Sequence, residues 1–100
     1  MAEIRWTKEA AYWLQEIYQY IASDNPKAAK NVIESIYLKA QTLKRMPEIG
    51  YRYDRYLEHN IRILLHGHYR IAYWIKKDGN IDILGIFHGA LDIDKYLNSK

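Results

Sequence analysis

The hydrophobic period of the chain changes near its middle. In the first half, apolar residues recur at the three- and four-residue spacing of an amphipathic helix, and in the second half they alternate with polar residues as in a strand. Two helical stripes are visible: Ala10, Trp13, Leu14, Ile17 and Ile21, then Ala29, Val32, Ile33, Ile36, Ala40 and Leu43. Residues 3–6 alternate ahead of them and predict a short first strand.

The ends of both predicted helices carry the expected signals. Thr7 offers an N-cap to the first helix, and Asn25 followed by Pro26 fits the start of the second. Pro47 and Gly50 end the second helix. Because the connection between the helices is short, we expect them to form an antiparallel hairpin.

Three more strands are predicted in the second half. Their core-facing positions are Ile61, Ile63 and Leu65, then Tyr69, Ile71, Tyr73 and Ile75, then positions within residues 81–87. A turn at 66–68 and the dipeptide Asp78-Gly79 separate them, and Asp92 is expected to cap a short terminal helix. The order β-α-α-β-β-β over residues 1–100 predicts one α+β domain, with the helical hairpin packed on one face of a mostly antiparallel sheet.

The segment LLHGHYRIAYW places an arginine, Arg70, in the most hydrophobic part of the chain. A turn at 66–68 would pair Leu65 with Tyr69, and we take this register for the prediction. One sheet face, opposite the helices, then carries Arg62, Arg70 and Trp74, which predicts an open contact surface. A register shifted by one residue would exchange the two faces.

An ion pair is the alternative role for Arg70. Arginine is rarely buried without a partner, and its guanidinium is the cation best suited to partly buried ion pairs. Glu58 and Asp92 are the candidate partners. On this interpretation Arg70 closes the sheet and contacts no other molecule.

Composition and charge narrow the function classes. Hydrophobic residues make up 49% and charged residues 27%, as in a globular protein, and no apolar run approaches the length of about 20 residues that a membrane span needs. The chain has no cysteine and no signal-peptide pattern at its start, so we expect a cytoplasmic protein. Its net charge is +3, and residues 51–77 are locally basic, which suits either an anionic partner or an ordinary solvated surface.

Other chemistry-bearing patterns are weaker. His66 and His68 flank a glycine and would need His88 to form a metal site, so exposed turn residues are the favoured interpretation and no metal or cofactor is expected. The run YRYDRY, residues 51–56, suits nucleic-acid stacking, but a loop that covers the sheet edge or meets a partner protein is favoured. Ten tyrosines exceed what a small core can hide, which predicts a partner groove.

The ordered segments YIASDNPKAAKNVIESI, LKRMPEIGYRY, IRILLHGHYRIAYWI and IDILGIFHGALDIDKYL resemble the RelE/ParE superfamily, the toxins of bacterial type II toxin–antitoxin modules. The resemblance covers nearly the whole chain. It implies a small toxin that a cognate antitoxin holds inactive, in a toxin–antitoxin hetero-oligomer.

Two activities occur in this superfamily: RelE-like members cut mRNA in the ribosome, and ParE-like members poison DNA gyrase. Arg70, in YRIAY, matches the phosphate-binding arginine of the nuclease branch, whereas Gly89 stands where a second arginine would fall. Ile61 and Ile63 replace the lysines of that branch. His88 and Tyr96 are the remaining candidates for proton transfer. The nuclease set is therefore incomplete.

The ending IFHGALDIDKYL, and Arg62 placed eight residues before Arg70, resemble the ParE side. This resemblance implies a toxin without enzymatic activity that binds gyrase through Arg62, Arg70 and Trp74. The alternative is a metal-independent, ribosome-dependent mRNA endonuclease with Arg70, His88 and Tyr96 as catalytic residues. A degenerate toxin without activity is the third hypothesis.

Overall fold

The protein is seen in a computed structural model that describes residues 2–53 and 59–88. Its elements are β1 (Ile4–Trp6), α1 (Lys8–Ala22), α2 (Pro26–Gln41) followed by a 3₁₀ turn (Thr42–Lys44), β2 (Tyr51–Arg52), β3 (Asn60–His66), β4 (Tyr69–Ile75) and β5 (Ile81–His88). The strands form one sheet in the order β1-β5-β4-β3-β2, in which β1 runs parallel to β5 and the other neighbours are antiparallel. Two helices pack on this sheet, which confirms the predicted α+β fold.

One strand was absent from the predicted order. The two-residue strand β2 pairs antiparallel with β3 at the sheet edge. Two residues are too few to show a period of two, so the hydrophobic pattern carries no signal for this strand. The terminal helix predicted to begin at Asp92 lies outside the described residues.

Both helix starts follow the predicted caps. The Thr7 hydroxyl accepts a hydrogen bond from the Ala10 amide at 3.2 Å and donates one to the Ile83 carbonyl at 2.7 Å. It therefore caps α1 and ties its start to β5. The Asn25 side chain accepts from the Ala28 amide at 3.1 Å, and Pro26 occupies the first position of α2.

The main core lies between the helical hairpin and the sheet. Its buried members are Ala10, Ile36, Ala40, Leu43, Leu64, Ile71, Tyr73, Ile81, Ile83 and Ile86. Leu14 and Val32 pack against it from the helices. The two helical stripes read from the sequence therefore do face the sheet, and their alanines at positions 10 and 40 are fully buried.

Tyr73 carries a polar group into this core. Its hydroxyl donates to the Pro47 carbonyl at 2.6 Å and accepts from the Gly50 amide at 2.9 Å. Burial raises the pKa of the Tyr73 phenol above its usual value. A Cβ at Gly50 would lie 2.7 Å from both this hydroxyl and the Ile63 carbonyl, so the loop before β2 needs glycine there.

The predicted pairing of Leu65 with Tyr69 is wrong by one residue. The turn between β3 and β4 has only two residues, with Gly67 at φ +58°, so Leu65 pairs with Arg70 and His66 with Tyr69. The hydrophobic pattern did not settle the register because β3 is apolar on both faces: its buried residues are Ile61, Ile63 and Leu64. The length of the turn settles it instead.

Candidate functional site

The corrected register separates the two arginines that were predicted to share a face. Arg62 now pairs with Tyr73, whose side chain is in the core, so Arg62 lies on the helix side of the sheet. Arg70 pairs with Leu65 and Phe87 and lies on the opposite face with Trp74. The prediction of one surface that carries Arg62, Arg70 and Trp74 is therefore wrong.

Arg62 is engaged by its own chain. Nη1 donates to the carbonyls of Glu48 at 3.1 Å and Gly50 at 2.9 Å, Nε donates to the Asn60 side chain at 3.1 Å, and Nη2 lies 3.4 Å from the Glu48 carboxylate. The side chain is only 15% exposed. The hydrogen bonds of Arg62 hold the loop that precedes β2, and the Tyr73 hydroxyl contacts the same loop. A contact between Arg62 and a target stays a prediction.

Arg70 has a different environment. It is half-buried in the middle of the sheet, and no hydrogen bond or ion pair joins its side chain to another residue within 2–53 and 59–88. Glu58 and Asp92, the partners of the ion-pair alternative, lie outside those ranges. The roles of Arg70 in target binding or phosphate contact also stay predictions.

The sheet face around Arg70 is not open. Ile63 and Ala72 are fully buried there and Phe87 is 2% exposed. Tyr53 and Leu84 pack against this second cluster, and the Trp13 ring reaches it with its centroid 5.9 Å from that of Phe87. The expectation of an open face opposite the helices is therefore wrong.

A β-bulge in β5 places His88 on the helix side. The pairing steps from Ile83 opposite Tyr73 to Gly85 opposite Ala72, which leaves Leu84 as the extra residue. Beyond the bulge Phe87 shares the face of Arg70. His88 is exposed and its ring lies 5.9 Å from that of Tyr69 and 6.3 Å from that of His68. Two members of the nuclease hypothesis, Arg70 and His88, are thus on opposite faces, and the third, Tyr96, lies outside the described residues.

A groove runs beside α1 on the helix side. It encloses about 590 Å³ and is lined by Trp13, Glu16, Ile17, Tyr20, Ile21, Tyr69, Ile86 and His88. Tyr20 is 83% exposed at its margin. The sequence pattern assigned Trp13, Ile17 and Ile21 to the core. All three are half-buried and line this groove, and Trp13 and Ile17 also pack against the core. The spacing of Tyr12, Glu16 and Tyr20 was the available signal, since it puts two tyrosines next to the apolar stripe.

A second cavity lies at the other end of the sheet, where the hairpin of residues 76–80 joins β4 to β5. It encloses about 610 Å³ and is lined by Arg52, His59, Asn60, Trp74, Ile75, Lys76 and Lys77. The rings of His59 and Trp74 have centroids 4.8 Å apart and are tilted by 53°. Three basic residues of the segment 51–77, Arg52, Lys76 and Lys77, therefore lie around one cavity.

One buried carboxylate joins β1 and β5 to the residue that follows β4, near this cavity. Asp82, 3% exposed on β5, accepts from Arg5 Nε at 3.1 Å and Nη2 at 2.8 Å, and its other contact is Lys76 Nζ at 3.3 Å. Burial raises the pKa of Asp82, but the hydrogen bonds from Arg5 and Lys76 outweigh it, so the pKa lies below its ordinary value. This network has a structural role.

Within the part of the chain that the structure describes, the histidines of the β3–β4 turn form no metal-binding group. The His66 ring nitrogen is 3.1 Å from the Ser35 hydroxyl, which joins β3 to α2. Across residues 2–53 and 59–88, no three metal-binding side chains form a group. Neither helix of these ranges combines the length and hydrophobicity that crossing a bilayer requires.

Two helices on a five-stranded mixed sheet form a small α+β fold that also occurs in solved structures of toxin–antitoxin systems. The family model of the ParE toxin of the type II toxin–antitoxin system, parDE, matches residues 4–93. The chain belongs to this family, which confirms the resemblance to the ParE side of the RelE/ParE superfamily.

Solved structures with a similar fold include chains of two toxin–antitoxin systems. A chain of the chromosomal ParDE system from P. aeruginosa has a TM-score of 0.72 and 23% identity, over 88% of this chain and 96% of that one. A chain of the RelBE2 toxin–antitoxin complex from Mycobacterium tuberculosis has a TM-score of 0.61 and 24% identity, over 87% and 96%. No curated protein matches the chain by sequence.

Proposed function

We propose that this toxin arrests bacterial growth by binding DNA gyrase in the cytoplasm, and that a cognate antitoxin neutralises it in a stable complex. The observation that carries the proposal is the match to the ParE family across residues 4–93. The P. aeruginosa structure with the similar fold belongs to a ParDE system, which supports an antitoxin as partner.

The placement of Arg70 and His88 also favours target binding over cleavage. A metal-independent ribonuclease must bring a proton-transfer group within hydrogen-bond reach of the phosphate that its arginine stabilises. Here Arg70 and His88 project from opposite faces of the sheet. A half-buried guanidinium is instead suited to a contact that a partner completes, because the partner can supply the acceptor that the described residues do not.

The groove beside α1 is the docking site that we propose for the antitoxin. Between Trp13 and Ile21 it follows about 12 Å of helix axis, enough for about two turns of a partner helix. Its lining is mainly aromatic and aliphatic, with Glu16 and His88 as the polar groups. An amphipathic antitoxin helix with apolar residues at i, i+3 and i+4 and a basic residue opposite Glu16 fits this chemistry.

Induction of the toxin without antitoxin tests the choice of target. We expect growth arrest with DNA-damage signalling and filamentous cells, while pulse-labelled protein synthesis continues at first. With purified components, the full-length chain should inhibit supercoiling by gyrase. Immediate loss of protein synthesis with discrete mRNA cuts in the ribosomal A site would contradict the proposal and support the RelE-type endonuclease. Harmless expression of soluble protein would support the degenerate toxin.

A further inference from the structure

The cavity at the hairpin end of the sheet is distinct from the antitoxin groove. The groove includes Tyr69 and His88, at the end of the sheet where β4 starts and β5 finishes, whereas the cavity includes residues 74–77, where β4 finishes. Its volume of about 610 Å³ lies within the range of small-molecule and cofactor sites, about 300–1,000 Å³. A partner in the groove therefore leaves the cavity accessible.

The lining of this cavity is cationic. Among the described residues, its lining includes Arg52, Lys76 and Lys77 and no carboxylate. Asp82 contacts Lys76, but two hydrogen bonds from Arg5 also converge on that carboxylate, so two cations share one negative charge. Lys77 is exposed at the start of the hairpin. The local excess of positive charge suits an anionic ligand.

An aromatic pair accompanies these cations. Trp74 is half-buried, which fixes the position of its indole, and the neighbouring His59 ring is exposed. Aromatic rings on which bases stack, combined with cations along the phosphate path, are the chemistry of single-strand binding sites. An acidic peptide would use the cations but has no group that requires the ring. The ring pair therefore favours a nucleic acid over an acidic protein segment.

We infer that this cavity binds single-stranded nucleic acid, with one base against Trp74 and neighbouring phosphates on Lys76 and Lys77. Binding is independent of sequence, because stacking and phosphate contacts carry little base information. The inference goes beyond the proposed function, which concerns protein partners, and it depends only on the cavity.

Fluorescence anisotropy with a labelled oligothymidylate of about eight nucleotides tests the inference on the full-length chain, over about 50–200 mM salt. Each phosphate contact contributes about fivefold in affinity at about 0.1 M salt, and about 0.7 to the slope of log affinity against log salt. The double variant Lys76→Gln/Lys77→Gln should therefore bind about 25-fold more weakly, with a slope about 1.4 smaller.

The matched control is Lys27→Gln/Lys30→Gln, which removes the same charge from exposed positions on α2. We expect it to leave the slope unchanged. Lys77→Gln alone, which leaves the Asp82 network intact, should weaken binding about fivefold. Trp74→Leu should weaken binding about tenfold without changing the slope, because it removes stacking and no charge.

Three results would overturn the inference: no binding of the oligonucleotide by the folded wild-type chain, equal losses in the cavity and control variants, or displacement of the oligonucleotide by poly-glutamate at a lower concentration than by unlabelled oligothymidylate. Growth arrest measured on the same variants keeps the two proposals separate. Arrest without oligonucleotide binding refutes the nucleic-acid site alone, and binding without arrest refutes the proposed function alone.

Discussion

The same substitution at three arginines separates structural from functional roles. Arg62→Ala removes charge-assisted hydrogen bonds to Glu48, Gly50 and Asn60, each worth about 1.5–3 kcal/mol when the partner stays unsatisfied. Since water can reach part of this site, we expect the free energy of unfolding to fall by about 2–4 kcal/mol. That is a large share of the roughly 5–15 kcal/mol that stabilises a domain.

Arg70→Ala should have the opposite profile. Its side chain is half-buried and makes no hydrogen bond or ion pair with residues 2–53 or 59–88, so we expect a loss of stability below about 1 kcal/mol. Growth arrest should nevertheless disappear, because the proposed target contact is removed. Arg45→Ala, at an exposed arginine after the 3₁₀ turn, is the control and should change neither quantity.

Urea unfolding followed by circular dichroism gives the stabilities, and growth after induction at matched soluble levels gives the activity. The reasoning fails if Arg70→Ala is destabilised as much as Arg62→Ala, since the ion-pair alternative would then hold. It also fails if Arg70→Ala arrests growth as strongly as the wild type. A stable Arg62→Ala variant would contradict the structural role derived from the hydrogen bonds.

Three further substitutions test other parts of the structure. Tyr73→Phe should lower the free energy of unfolding in urea by about 2–3 kcal/mol, because two buried backbone groups lose their hydrogen-bond partner. Tyr37→Phe, at an exposed ring, is the control and should change it little. Equal losses in the two variants would contradict the prediction. The pKa of Asp82 is lowered in the folded state, so its charged form stabilises the fold at pH values above the unfolded pKa of about 3.9, and this stabilisation is lost as pH falls through the folded pKa. The loss of stability in Asp82→Asn should therefore be full at neutral pH and become smaller below about pH 4. A loss that does not depend on pH would refute this prediction. Tyr20→Ala should weaken antitoxin binding in calorimetry about tenfold or more, and Tyr18→Ala, outside the groove on the same helix, should not.

Local signals in the sequence were sufficient for the helical half. Thr7 and Asn25-Pro26 cap the helices as predicted, and the apolar stripes face the sheet. These predictions held because caps and the helical period act over a few residues of chain, and few tertiary contacts compete with them.

The sheet was harder to predict because its faces depend on register. The strand β3 is apolar on both faces, so alternation alone did not distinguish two registers that differ by one residue. The bulge at Leu84 adds a second inversion within β5. The hydrophobic pattern also did not predict the cavity or the groove, because each combines residues from strands or helices that are distant in sequence.

The register of β5 also bears on the nuclease hypothesis. For His88 to share the face of Arg70, the part of β5 after the bulge would have to shift by one residue, which exchanges the faces of residues 85–88. That shift would move Ile86, which is 1% exposed, out of the main core, whereas Ile81 and Ile83 precede the bulge and would keep their positions. At about 1.5–3 kcal/mol for a buried isoleucine, the shift would cost a large share of the roughly 5–15 kcal/mol that stabilises a domain. In the described arrangement of β5, His88 therefore does not reach a phosphate held by Arg70 without such a shift. If ribosomal cuts were observed, they should survive His88→Ala, and loss of cutting in that variant would show that the described arrangement of β5 is not the active one.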